Sequence, residues 1–353
     1  MKVLFISRAY PPVIGGIEKQ NYELAAALGQ KADVELIVNT RGKAWLPIFL
    51  PWSLILGLFK APRADVVLLG DAVLAPVGAL LRLLTRRPVA CVVHGLDITW
   101  DNAIYQSVWV KGLLSQMNRL LAVGNETIRQ AVSRGLAEER CRFIPNGVAT
   151  PATASEVDSS ATYIEGGDDT FHLLTLGRLI KRKGVAWFAS EVMPKLPENT
   201  HYWVAGDGPC RVQLEQLVSE RDLQDRVHVL GRVSELQKQA LLSQVSLFVQ
   251  PNIAVEGDME GFGLVVLEAA AAGLPVVASR LEGLQDAISE GKNGVLVESG
   301  NVDAYVATIE ALAADPAHAT HLGEQGRDYT LTHCLWDQVA DLYLRELGEI
   351  SAR

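Results

Sequence analysis

Two successive open α/β domains, each a doubly wound parallel sheet covered by helices on both faces, are the fold class this sequence predicts. Three observations lead there. Short apolar, β-branched runs alternate with longer helical patterns from the first residues to about residue 148. A polar, turn-rich stretch, ATPATASEVDSSATYIEGGDDT (149–170), then interrupts the pattern as a linker would. The alternation restarts at FHLLTLG (171–177), and 353 residues are too many for one ordinary core.

Taken in order, Lys2–Ser7 reads as a buried parallel strand that leads through RAYPPVIGG into a helix near 17–28. Gly15 and Gly16 lie at this strand-to-helix turn, where they suit either close approach to a phosphate or sugar or a simple tight turn. Asp33–Val38 follows as a second strand, with further strands at 65–69, 88–94 and 120–123 and helices at 76–84, 105–118 and 126–134. The strand ending in CVVH delivers His94 and Asp97 to the carboxyl edge of the first sheet, where such folds bind ligands, although a loop histidine is also a common local hydrogen bonder. In the second half, strands are expected at 171–177, within 201–209 and 226–233, and at 246–251, 275–279 and 294–297.

Between the second and third strands lies AWLPIFLPWSLILGLF (44–59), uncharged and flanked by Arg41, Lys43, Lys60 and Arg63. It is too short to cross a bilayer, and Pro47 and Pro51 are expected to break it. It reads either as a Trp- and Leu-rich patch resting at a membrane interface or as a buried helix or subunit contact.

Composition narrows the function. A hydrophobic fraction of 49% with 21% charged residues is that of a globular chain. Four scattered cysteines read as reduced thiols, and the short apolar start is not a signal peptide, so a cytoplasmic protein is expected. Residues 1–165 carry 17 Lys and Arg against 14 Asp and Glu, a balance of +3, and the remainder 15 against 27, a balance of -12. This acidity argues against nucleic-acid binding, while the basic first half suits an anionic surface. His318 and His321 are read as a solvated helix face, and no metal site is expected.

The chemistry concentrates in EGFGLVVLEAAAAG (260–273). Two carboxylates, Glu260 and Glu268, flank a Gly261-Phe262-Gly263 turn that opens an apolar helix. The first amides, of Leu264 and Val265, form an anion-binding end. Glu268 leans back toward that end, and in such apolar company it needs a hydrogen-bonding partner, which a sugar diol supplies. Upstream, GRLIKRKG puts Arg178 at the end of a strand and Lys183 before the next helix, as a diphosphate requires. With Lys181 and Arg182 alongside, the same run also reads as a solvated basic loop.

Together GGIEKQNYELAAAL, VVHGLD, IPNGV, GRLIKRKG, VAGDGP, LGRV and EGFGLVVLEAAAAGLPVVAS resemble the retaining glycosyltransferases of family 4, the group 1 glycosyltransferases with the GT-B fold. The resemblance spans nearly the whole chain and is most specific in the second half. It implies two facing Rossmann-like domains with an interdomain cleft: an acceptor-side domain (1–165), a donor domain (166–334) and a last helix (335–353) that crosses back to the first domain. It implies a metal-independent transfer of a hexose, with retention, from a nucleoside diphosphate sugar to an acceptor hydroxyl, and no cofactor. Arg178 and Lys183 would hold the diphosphate, Glu268 the ribose, and Glu260 with the Gly261–Gly263 backbone the transferred sugar. His94 would approach that sugar and Gly16 the phosphates, with Gly15, Glu18 and Asp97 on the acceptor side and Val233 near the base. Ala149 departs from the family, which more often has Asp after IPNGV. The expected role is in polysaccharide, lipopolysaccharide or glycolipid synthesis, with a sugar or lipid-linked acceptor and peripheral contact at the cytoplasmic membrane face. A non-catalytic nucleotide-sugar-binding partner and a nucleotide-sugar epimerase of the same architecture are the rivals.

Overall fold

The computed structural model describes residues 1–151, 164, 167 and 169–352. The chain forms two compact units, Met1–Ala149 with Cys334–Arg353, and Thr150–His333. The boundary expected at residues 165 and 166 falls outside the described residues.

The first unit holds a six-stranded parallel sheet. Its strands are β1 (Lys2–Ser7), β2 (Asp33–Val38), β3 (Val66–Leu69), β4 (Val89–Val93), β5 (Arg119–Ala122) and β6 (Cys141–Phe143), in the order β2-β1-β3-β4-β5-β6. β3 and β4 are apolar without alternation and buried throughout, as parallel strands covered on both faces must be. β6 has no counterpart among the expected strands. At three residues, with an arginine in the middle and an exposed Phe143 at its end, it is an edge strand with no hydrophobic pattern to announce it.

Three helices of this unit matter below: α1 (Gly16–Lys31), α2 (Leu46–Lys60) and α3 (Ala75–Thr85). Pro47 and Pro51 do not break α2. Pro47 sits in the first turn, where its missing N–H is not needed, and the helix continues through Pro51. With its flanking turns the helical stretch runs from Lys43 to Arg63, 21 residues, so by length and composition it does reach what a membrane crossing requires.

The helix Trp336–Ser351 belongs to this first unit. Lys31 of α1 reaches Asp337 at 2.9 Å and Asp341 at 2.8 Å. Arg119 of β5, itself buried, reaches Glu346 at 3.2 Å and Glu349 at 2.9 Å. The IPNGV segment receives this helix: Val148 donates its amide to the Cys334 carbonyl, and a Cβ on Gly147 would lie 2.6 Å from the Trp336 ring. A glycine is required there by close packing.

The second unit repeats the plan with β7 (Phe171–Leu176), β8 (Thr200–Ala205), β9 (Val227–Gly231), β10 (Leu247–Gln250), β11 (Val276–Arg280) and β12 (Val295–Glu298), in the order β12-β11-β10-β7-β8-β9. Tyr202, Phe188 and Tyr305 centre its core.

At the amino-terminal edge of this sheet, His172 faces His201 in register, and Trp203 faces His228. Trp203 donates to His172 Nδ1 at 3.1 Å and stacks on His228, and His201 and His228 share a hydrogen bond of 3.1 Å. Burial first, then His201, pushes the His172 pKa down; burial first, then Arg226, does the same to His201. In the window below the free imidazole value, near 6.5, the unfolded chain therefore binds more protons than the folded one, and stability falls with falling pH. The urea midpoint should drop between pH 7 and pH 5, and His201→Gln, which keeps a donor for His228, should flatten that slope; an unchanged slope would exclude the histidine ladder as its source.

Candidate donor site

In the second unit the carboxyl ends of β7 and β10 converge. β7 runs into Gly177 and Arg178, then into a turn, Lys181–Lys183, closed by Gly184. Gly184 adopts φ +66°, and a Cβ there would lie 1.8 Å from the Pro251 carbonyl oxygen, so only glycine lets the Lys183 loop press against the end of β10. Beyond β10, Asn252 is buried, with its carbonyl accepting from the Ser279 and Ser299 hydroxyls at 2.5 and 2.9 Å.

Glu260 closes this arrangement. Its side chain is almost wholly buried, with Lys183 Nζ donating to Oε2 at 2.5 Å and Asn252 Nδ2 to the same oxygen at 2.9 Å. Arg182 stands 3.8 Å from Oε1. The Glu260 amide donates to Glu282, and its carbonyl accepts from Gly283. Burial alone would push this carboxyl up. The Lys183 and Arg182 cations, with the hydrogen bonds from Lys183 and Asn252, outweigh burial and hold it below the usual carboxylate range.

After the Glu260 turn, Gly263 takes φ +88° and starts the helix Leu264–Ala271. Leu264 and Val265 are half-buried at its first turn, and their amides have no intrahelical acceptor. Glu268 is held differently from the expectation. Lys238, on the helix Glu235–Gln244, reaches it at 3.1 Å, so a protein cation already meets the need for a partner that a sugar diol was expected to supply. The same lysine ties Glu268 to the helix that follows the short β9 connection carrying Val233.

Arg178 is exposed, and among the described residues no side-chain hydrogen bond or ion pair holds it. Arg182 corrects the reading of KRK as a solvated loop. Only Lys181 is exposed; Arg182 turns inward beside Asp258 (3.6 Å) and Glu260, with Nε and Nη1 buried and, among the described residues, lacking hydrogen-bond acceptors. The sequence alone does not mark Arg182, Asn252, Lys238 or Glu282 as site residues. It does carry one signal for Arg182, since three cations in a row after a strand cannot all face one diphosphate.

The first unit gathers its own set at the carboxyl edge of its sheet. His94 Nε2 bonds the Gly70 carbonyl at 2.9 Å, and since a carbonyl only accepts, that nitrogen carries a proton. Asp97 is buried, taking the amides of His94 and Ala72 at 2.9 and 3.0 Å, so it organises the strand ends from within. Arg8, not flagged by sequence, donates to buried Asp71 at 2.8 Å. Burial, set against Arg8, pushes the Asp71 pKa up. Gly16 is open, and Glu18 folds back over Gly15.

The family pattern described as Glycosyltransferase Family 4 matches residues 14–151, and that of Glycosyl transferases group 1 matches residues 165–329. The chain belongs to the group 1, family 4-type glycosyltransferases and has the GT-B fold. It is 28% identical over 272 residues to a GDP-mannose-dependent alpha-(1-6)-phosphatidylinositol monomannoside mannosyltransferase of Mycolicibacterium smegmatis, covering 75% of this chain and 71% of that one. It is 35% identical over 176 residues to the lipopolysaccharide core biosynthesis glycosyltransferase LpsD of Rhizobium meliloti, about half of each. Among solved structures, Anabaena HepE in complex with UDP and glucose superposes with a TM-score of 0.76 at 19% identity, covering 99% of this chain and all of that one.

Removing Lys183 from such a site leaves a buried carboxylate without its nearest cation and a hydrogen-bond donor, with the more distant Arg182 still facing it. Lys183→Ala should cost about 3–5 kcal/mol in urea unfolding at pH 7. Because the Glu260 pKa is depressed on folding, its contribution is present above the unfolded value and lost as pH falls through the folded one. The gap between wild type and Lys183→Ala should therefore narrow below about pH 4.

Proposed function

We propose that this glycosyltransferase moves a hexose from a nucleoside diphosphate sugar to an acceptor hydroxyl with retention of configuration, in the synthesis of a cell-surface glycolipid or polysaccharide. The observation that carries it is the buried Glu260–Lys183 pair, together with an exposed Arg178 that has no side-chain partner among the described residues and a glycine-opened helix start.

In this reading Arg178, Lys183 and the Leu264 and Val265 amides neutralise the leaving diphosphate. Such stabilisation of developing charge is usually the largest catalytic contribution. Glu260, ionised and fixed by Asn252, accepts from hydroxyls of the transferred sugar, which positions the ring. The acceptor oxygen attacks the anomeric carbon on the face the diphosphate leaves. The bond to phosphate breaks, the departing oxygen takes the acceptor's proton, and nucleoside diphosphate is released. No metal is required, because two protein cations and a helix end supply the positive charge. Glu268 reaches the ribose by sharing or exchanging Lys238. The roles of His94 and Gly16 in the first unit rest on the family resemblance. GDP-mannose dependence in the mycobacterial relative and UDP in the Anabaena structure support a nucleotide-sugar donor and leave the base as the quantity to measure. The phosphatidylinositol mannoside and lipopolysaccharide core roles of the relatives support the acceptor class, and a position at the cytoplasmic membrane face belongs to the same reading.

Arg178 is exposed, so Arg178→Ala should leave stability within about 0.5 kcal/mol. Thermal-shift measurements with UDP, GDP and ADP and their hexose conjugates should then find one nucleotide series that stabilises the wild type. The expected gain is ~2.7 kcal/mol at a hundredfold excess over Kd, and it should vanish in the variant. A Lys183→Ala enzyme, assayed where it is still folded, should lose about 10²-fold or more in kcat. No shift with any nucleotide, or near-normal turnover in Lys183→Ala, would overturn the assignment.

A further inference from the structure

The geometry points to the outer face of α2 and α3 as a surface that docks on an anionic lipid bilayer. This rests on the first unit alone and is independent of the donor-site reading.

A helix packed on a sheet normally buries one apolar stripe and shows water a polar one. α2 departs from that rule. Its fully buried residues are Phe49, Ser53 and Gly57, a single line at four-residue spacing. A Cβ on Gly57 would stand 2.9 Å from Leu81 of α3, so the two helices cross closely. Apart from Lys60 at its end, the rest of α2 is also apolar. Ile48, Trp52, Ile55 and Phe59, at spacings that share one face of α2, are 51%, 46%, 56% and 72% exposed, and on the neighbouring α3 Leu83 and Leu84 are 72% and 60% exposed. An exposed apolar helix face of this kind is uncommon on a protein with nothing to cover it.

Charge identifies what covers it. Arg41 and Lys43 precede α2, Arg63 follows it, and Arg82 and Arg86 lie at the end of α3, all of them exposed. Residues 39–124 contain nine Lys and Arg but four Asp and Glu, and two of those acids, Asp71 and Asp97, are buried. An apolar centre with a cationic rim matches acyl chains beneath anionic headgroups. A second copy of the chain fits less well, because a two-fold contact would set one cationic rim against the other.

The Lys43–Arg63 stretch lies at the interface and does not cross it. It connects β2 to β3, which flank β1 in one sheet, so both ends return to the same layer. Its Phe49–Ser53–Gly57 line is committed to the core, and Lys60 is held by Glu35 at 2.8 Å.

The test is flotation of the full chain with vesicles of phosphatidylcholine, with and without phosphatidylglycerol. The wild type should float with the anionic vesicles and be released by salt. The surface variant Trp52→Glu/Phe59→Glu/Leu83→Glu should lose at least about tenfold in partition while keeping its thermal midpoint. Arg63→Glu/Arg86→Glu should lose the preference for phosphatidylglycerol. Wild-type protein that fails to float, or a triple variant that floats equally well, overturns the proposal. So does light scattering that finds a non-floating dimer dispersed by the triple variant, which would make a second copy the occupant. Nucleotide binding can fail without moving any of these results.

Discussion

A carboxylate taken almost wholly out of water at the end of a sheet has to be matched by cations, and the second unit is arranged around that demand. Glu260 accepts from Lys183 and Asn252 and faces Arg182, so the loops after β7 and β10 are bound through one charge. Gly184 lets the first loop approach the second, and Asn252, fixed through its own carbonyl by Ser279 and Ser299, extends the constraint to β11 itself and to the turn after β12. Leaving any one of these groups alone in the interior would cost more than the pairing returns, so the cluster holds together as a set.

On the proposed reading, the same arrangement would serve a ligand because it is incomplete at one end. Arg178 stands in solvent, the first amides of Leu264–Ala271 lack acceptors within the helix, and two nitrogens of Arg182 are buried without hydrogen-bond acceptors. Negative charge arriving there meets donors already in position. Electrostatic preorganisation of this sort reduces the rearrangement that binding and reaction would otherwise require.

Much of this was legible in the sequence for physical reasons. Buried parallel strands write themselves as unbroken apolar runs, so β1, β3, β4 and β7 were plain, whereas β6, three residues at an edge, left no such trace. Glu260, Lys183 and Arg178 stood out because charges beside glycine-rich turns at strand ends have few structural excuses. What the sequence hid was partnership. It does not show that Lys238, thirty residues before Glu268, comes to lie beside it, or that Arg182 turns inward while Lys181 turns out. Proline misled in the other direction: Pro51 looked like a break, yet the helix it sits in is supported by core contacts along its buried line.

The return of Trp336–Ser351 to the first unit has a consequence for synthesis. The strands of that unit are made first, but the helix that packs on α1 and supplies Glu346 and Glu349 to the buried Arg119 is made only after all of the second unit. Until it emerges, Arg119 has a charge without a counterpart and Gly147 faces no indole. The first half of the chain must therefore wait, partly assembled, while the second half becomes complete. Completion of the older unit is thereby coupled to the arrival of the younger one, so a polypeptide interrupted before Cys334 is left with an unfinished first unit.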